Sequence, residues 1–158
     1  MAHATKAAPL EGLRNEHRGI RLRLVNLQQA LADLQFFDEV GADLRSICTV
    51  KEVFRFLETD LVAHIRREEK ELYQVIAEVP RSEKARIAMV EKGHEAYVLA
   101  LAKLRTALDL LEHGTDLEED INRVKQTGEE LGTLLWKHMD EEEQYIFPLA
   151  EALAAKAS

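Results

Sequence analysis

One cysteine, three prolines and seven glycines in 158 residues leave little to staple or interrupt this chain. Lone Cys48 has no internal partner, which excludes a disulfide framework and points to a reducing, cytoplasmic compartment. So few breakers exclude collagen-like and turn-rich β-sandwich organisation, and a hydrophobic content of 46% excludes disorder. The longest unbroken apolar run, Tyr97–Ala102, is six residues long, whereas a membrane span needs about 20. The opening Met1–Pro9 lacks the apolar core of a secretory signal. Positive charge is also scarce. With 21 Lys and Arg against 29 Asp and Glu, the formal charge of −8 disfavours nucleic acid and anionic membrane as partners. There is no Gly-rich phosphate loop, and Ser46, Ser82 and Ser158 stand at expected helix boundaries or the chain end, a poor basis for a serine triad.

What remains is the pattern of long helices in one domain over 1–158. Apolar residues recur at alternating spacings of three and four along four seams, as on the buried face of a helix. The first runs from Leu10 through Leu13, His17, Ile20 and Leu24 to Leu34. The second runs Phe54, Leu57, Leu61, His64, Glu68, Leu72, Val75, and the third from Ile87 through Val90, His94 and Tyr97 to Leu111. The fourth includes Ile121, Val124, Gly128, Leu131, Leu135, His138, Glu142, Tyr145 and Leu149. Punctuation predicts helices over 9–36, 46–79, 82–113 and 116–154. Pro9 suits a first turn, and residues 37–46 with Gly41 form the first connection. Thr49 with Glu52 offers a capping box. Pro80 ends the second helix, Ser82 caps the third, Gly114 closes it, and Thr115 or Asp116 opens the fourth. Short connections predict an all-α, antiparallel up-down-up-down four-helix bundle.

Each seam is broken by a histidine, and two of those histidines are followed four residues later by glutamate. The segments starting at His64 and His138 repeat at an offset of 74 (138 − 64 and 142 − 68). Residues four apart on a helix share one face about 6 Å apart along the axis, so His64 with Glu68 and His138 with Glu142 each present an imidazole and a carboxylate together. In an up-down bundle the early parts of helices 1 and 3 stand level with the late parts of helices 2 and 4. His17, His64, Glu68, His94, His138 and Glu142 therefore converge in one layer. Two carboxylates among leucines are unfavourable unless paired or coordinated. Four imidazoles and two carboxylates suit first-row transition metals and exceed what one tetrahedral zinc can use. Two ions bridged by the glutamates are the simplest interpretation, with iron favoured over manganese or zinc.

These residues, with Phe147-Pro148 after the second pair, resemble the hemerythrin-like, or HHE cation-binding, family from the helix of His17 to the end of helix 4. The resemblance implies a four-helix bundle with a non-heme, oxo- or hydroxo-bridged centre of two Fe ions, histidines on both irons and Glu68 and Glu142 bridging. It implies binding or sensing of dioxygen, NO or peroxide. A catalase-like or NO-reducing enzyme, and an iron-storage or iron-sensing module, are the alternatives. One feature departs from the oxygen carriers, which have a second histidine on helix 3 where this chain has Val98. Solvent, Glu91 or Tyr97 is expected to take that place, and the loss favours a sensor, or a centre that reacts with peroxide or NO, over simple oxygen carriage.

For the other polar residues the plainer roles are expected. Glu69, Glu71, Glu141 and Glu143 form a solvated acidic face, His3 is terminal, and His113 meets the carbonyls ending helix 3. Cys48 is a buried or inert thiol. Of Tyr73, Tyr97 and Tyr145, Tyr97 is the one expected at the site and the other two pack in the core. Gly19 and Gly93 beside the odd-helix histidines mark close backbone approach or a helix irregularity, and Gly128 marks close helix contact or a small void.

Overall fold

The computed structural model describes residues 8–34 and 40–157. The expectations for His3, and for residues 35–39 of the first helix end and connection, lie outside the described residues. The described chain is all helix and turn with no strand, arranged as four helical arms. The first is α1 (Ala8–Asp33). The second comprises α2 (Val40–Phe56), a π turn (Leu57–Leu61), α3 (Val62–Glu68), a second π turn (Glu69–Tyr73) and a 3-10 turn (Val75–Glu78). The third is α4 (Arg81–His113). The fourth comprises α5 (Leu117–Glu141), a π turn (Glu142–Ile146) and α6 (Phe147–Lys156). No described helix is long and apolar enough to cross a membrane.

Local chemistry accounts for the breaks. Val79 is extended, with ψ at 160°, because the ring of Pro80 disfavours helical geometry in the residue before it. The third arm then starts at Arg81 on Pro80, so Ser82 lies inside the helix and does not cap it. Of the two candidate caps for the fourth arm, Asp116 serves: its carboxylate accepts from the Glu119 N–H at 3.1 Å. The second arm starts at Val40, ahead of the expected boundary. Thr49 is accordingly mid-helix, and its hydroxyl donates to the Arg45 carbonyl at 3.1 Å where a capping box was expected. Cys48, expected to be buried or inert, is exposed on α2. His113 does meet the end of its own helix, Nδ1 donating to the Asp109 carbonyl at 3.0 Å.

The π turns after Glu68 and at Glu142 alter the seams. Each inserts an extra residue into the helical repeat and advances the buried face by one position. Leu72 is thus followed on the buried face by Tyr73 and Ile76, while Val75, placed on the seam by its spacing, is 51% exposed. In the fourth arm Ile146, Phe147 and Ala150 are buried, and Tyr145 and Leu149, the expected seam residues, are only partly covered. Gly19 and Gly93 lie in regular helix, so none of the π turns falls at these glycines, and two of the three described fall at the glutamates.

Contacts between arms run in opposite senses along the chain. Arg14 pairs with Glu151 (2.7 Å) while Arg21, two turns on, pairs with Asp140 and Glu143 (2.7 Å each). Lys51 meets Glu112 and Glu58 meets Arg105; Glu83 meets Tyr145 and Lys103 meets Glu130. The core is divided in two. A larger apolar cluster from Ile20 and Leu24 to Leu104 and Leu135, and a smaller one around Leu13, Ile76, Ile146 and Phe147, lie on either side of a polar layer. A Cβ on Gly128 would come within 2.8 Å of the Leu31 side chain, so helix contact accounts for this glycine.

Leu104 is fully buried in the larger cluster, whereas Leu99, five residues earlier on the same helix, is 60% exposed. Leu104→Ala is expected to lower unfolding free energy by about 2–5 kcal/mol and Leu99→Ala by no more than about 0.5 kcal/mol. Urea titrations of the two variants check the assignment; equal losses would contradict it.

Candidate metal centre

The polar layer consists of the six residues singled out by spacing. α1 supplies His17, α3 supplies His64 and Glu68, α4 supplies His94, α5 supplies His138, and the π turn after α5 supplies Glu142. All are buried, and Glu68 and Glu142 are fully enclosed. Every imidazole turns Nε2 toward a carboxylate. His17 Nε2 lies 3.1 Å from Glu68 and 3.4 Å from Glu142. His64 Nε2 is 2.7 Å from Glu68 and His138 Nε2 is 3.0 Å from Glu142. His94 Nε2 lies between the two, 3.2 Å from Glu68 and 3.6 Å from Glu142.

Donor atoms fall into two groups, each within a 4.8 Å span: His17, His64, Glu68 and Glu142, and His94, His138, Glu68 and Glu142. Both carboxylates belong to both groups. Several of these atoms are close without hydrogen-bond alignment. Glu68 Oε2, Glu142 Oε2 and both ring nitrogens of His94 and His138 are buried with no hydrogen-bond partner. An unpaired buried polar group costs about 1–3 kcal/mol, so this cluster is expensive unless a cation satisfies its lone pairs. The donor set, neutral nitrogen plus carboxylate with no thiolate, fits that role for a first-row transition metal.

Electrostatics point the same way. Burial disfavours the imidazolium of His17 and of His94, but the carboxylates of Glu142 and Glu68 outweigh it and raise them to about 9 and about 10. Burial and the neighbouring charge of Glu142 push Glu68 up, yet the imidazoles of His17, His64 and His94 hold it below its ordinary value. Glu142 is lowered further, with His138, His17 and His94 overcoming its burial. Without a cation, protons hold the layer together.

Outer carboxylates hydrogen-bond two of the four rings and a third stands near one. His64 Nδ1 donates to Glu16 at 2.6 Å, and Arg67 pairs with the same carboxylate. His17 Nδ1 donates to Glu143 at 2.9 Å, and Arg21 ties Glu143 to Asp140. His94 Nδ1 lies 3.7 Å from Glu69. Such carboxylate–imidazole pairs fix the tautomer and raise the basicity of a ligating ring. Glu143 and Glu69 are therefore not merely part of a solvated face, because the polypeptide turns them back onto imidazoles of the neighbouring arms. Glu16 has no place among the residues expected at the site, although its position directly before His17 was the available signal.

Tyr73 was also undervalued by spacing. Its hydroxyl donates to Glu142 at 2.7 Å, and burial plus the Glu142 charge push its pKa up. Its ring packs on His94 (5.5 Å), as Phe147 packs on His17 (5.3 Å). Both reach the layer because the π turns advance them onto the buried face. Tyr97 packs on His94 and His138, at 5.6 and 5.2 Å between ring centres. Val98 is 46% exposed and Glu91 is exposed, so of the residues considered for the absent helix-3 histidine only Tyr97 faces the layer.

Residues 1–76 match the hemerythrin HHE cation-binding domain. The matched part of the chain holds His17, His64 and Glu68; the repeat supplies His94, His138 and Glu142 from the other half. No curated protein and no solved structure matches the chain. The family is a cation-binding one, and the two buried His/Glu groups fit metal binding.

The pKa directions set the pH behaviour of the metal-free protein. His17 and His94, raised above 6.5 by folding, contribute stability that is complete below about pH 6.5 and lost as pH rises through about 9 and 10. Glu68 and Glu142, lowered from 4.5, contribute above that pH and lose their contribution on acidification. Melting curves of chelator-treated protein are expected to peak between pH 4.5 and 6.5 and decline toward pH 10; a melting temperature that rises from pH 6.5 to pH 10 would contradict this electrostatic account.

Proposed function

We propose that this chain is a non-heme diiron-binding, hemerythrin-like protein that binds or senses dioxygen or a related small oxidant, NO or peroxide. The observation that carries the reading is the pair of donor groups sharing Glu68 and Glu142. One group takes its histidines from the first two arms and the other from the last two, so each half of the repeat supplies the terminal ligands of one ion. Opposed contacts between neighbouring arms support an antiparallel up-down-up-down order, which brings the late parts of arms two and four level with the early parts of arms one and three.

His17 and His64 would hold one ion and His94 and His138 the other, with Glu68 and Glu142 common to both and balancing their charge. Two iron ions would supply redox change and coordination positions for a small oxygen- or nitrogen-containing ligand. The chain itself excludes bulk water with the two apolar clusters, orients His64 through Glu16 and His17 through Glu143, and holds a proton on Tyr73 Oη against Glu142. With Val98 turned outward, helix 3 contributes a single histidine to this set and leaves the His94 side with Tyr97 as its neighbour. That arrangement favours a sensor over a reversible carrier. A cytoplasmic location is part of the same reading.

Elemental analysis of protein from its native host is expected to give two iron per chain. Glu68→Ala is expected to abolish most metal content, because one carboxylate serves both groups, while Glu69→Ala retains both ions with affinity weakened at most about 10–100-fold as an outer partner of His94. Equal metal loss in the two variants would defeat the assignment. Stopped-flow mixing of the reduced protein with oxygen separates binding, seen as a spectral change reversed under vacuum, from irreversible turnover.

A further inference from the structure

The two donor groups share Glu68 and Glu142 but are unequally backed. In the first group both imidazoles donate from their outer nitrogen to a carboxylate, His17 Nδ1 to Glu143 at 2.9 Å and His64 Nδ1 to Glu16 at 2.6 Å. Arg21 and Arg67 hold those carboxylates in turn. In the second group neither imidazole has such support, for Nδ1 of His94 and Nδ1 of His138 are buried without a hydrogen-bond partner. Glu69 stands 3.7 Å from His94, beyond hydrogen-bond reach.

At His138 the sequence closes the position to a carboxylate. Glu16 precedes His17, and at the equivalent place before His94 the chain has Gly93. A Cβ on Gly93 would stand 2.6 Å from His138 Nδ1, so the ring packs on bare backbone and residue 93 has no room for a side chain. The shared carboxylates add to the imbalance. Glu142 turns Oε2 toward His17 and Oε1 toward His94 and His138. Tyr73 donates to Oε1 at 2.7 Å, which draws charge from the oxygen that serves the second group. Phe147, at the equivalent place in the repeat, has no hydroxyl with which to do the same to Glu68.

We propose that the two metal positions are unequal: the one held by His17 and His64 binds tightly and fills first, and the one held by His94 and His138 binds weakly and exchanges. Glu16, Glu143 and Tyr73 are the positioning residues that set this order. The inference rests on the two-ion reading and adds to it which ion is resident. A carboxylate on Nδ1 raises the basicity of a ligating ring and keeps it aimed, an advantage of about 10–100-fold in affinity for each such partner. The first position has two of these partners and the second has none. The complete centre is therefore conditional on supply: at low metal concentration the chain holds one ion, and the second joins only when the free concentration passes the weaker constant.

The test uses full-length protein saturated with Zn(II), a diamagnetic probe, and stripped by rising concentrations of a chelator, while zinc content and the histidine ring signals are followed by nitrogen-15 NMR. Two zinc ions per chain are expected at the start. The largest changes at His94 and His138 are expected with loss of the first ion, and those at His17 and His64 with loss of the second. Repulsion between the ions separates the two losses in any such centre, so the order is what decides. Glu16→Ala combined with Glu143→Ala is expected to weaken the last-lost ion about 100-fold or more, and Glu16→Gln, which keeps an acceptor, to weaken it less than Glu16→Ala does. Tyr73→Phe is expected to tighten the first-lost ion and leave the other unchanged. Loss in the opposite order, equal change at all four histidines throughout, or equal weakening of both ions in the Glu16 and Glu143 variants would overturn the proposal and leave the two-ion reading standing. Fewer than two zinc ions at saturation would defeat that reading and this inference with it.

Discussion

Two carboxylates enclosed at the centre of a leucine-rich bundle govern the rest of this structure. Glu68 and Glu142 are fully buried and press a like charge on each other, a combination that is unfavourable by several kcal/mol per ion without compensation. Four imidazoles surround them, one from each arm, and the apolar core is cut into two clusters to make room. Replacing the layer by hydrophobic residues would give a simpler and more stable bundle. Its retention makes physical sense when cations take the place of the protons that otherwise hold the carboxylates.

The helices are adapted to this layer. π turns follow Glu68 and begin at Glu142, and each rotates the remaining helix by one residue. The rotation places Tyr73 against His94 and Phe147 against His17, so each half of the repeat covers a histidine of the other. The equivalence is imperfect. Tyr73 brings a hydroxyl to Glu142, whereas Phe147 brings none to Glu68, which instead has three imidazoles close by. Glu16 supports His64, whereas Gly93 packs directly on the ring of His138 and brings it no carboxylate. The repeated framework has thus become two unlike halves.

The family match and the repeat divide the chain in the same way. The matched residues 1–76 carry half of the donor set, and the later half supplies the rest at the same helical spacing. Neither half by itself assembles either donor group with both of its carboxylates. The candidate centre is a property of the assembled bundle, because each group draws on arms from both halves.

Helix content, the six inner polar residues and their pairing were legible in the sequence, because a period near 3.6 and a spacing of four are local properties that survive without knowledge of neighbours. The cap at Asp116 and the break at Pro80 are local for the same reason. What tertiary structure decided was everything that depends on which surface faces a given atom. The π turns moved Tyr73 and Phe147 inward and Val75 outward, a shift of face that pays off only in contacts between arms. Glu16, Glu69 and Glu143 look like ordinary surface acids along the chain and become partners of imidazoles only where another helix crosses them. The early start of α2 and the exposure of Cys48 were likewise set by how that arm packs. Periodicity determines which face of a helix is buried; the identity of the group across from it is fixed only when the arms come together.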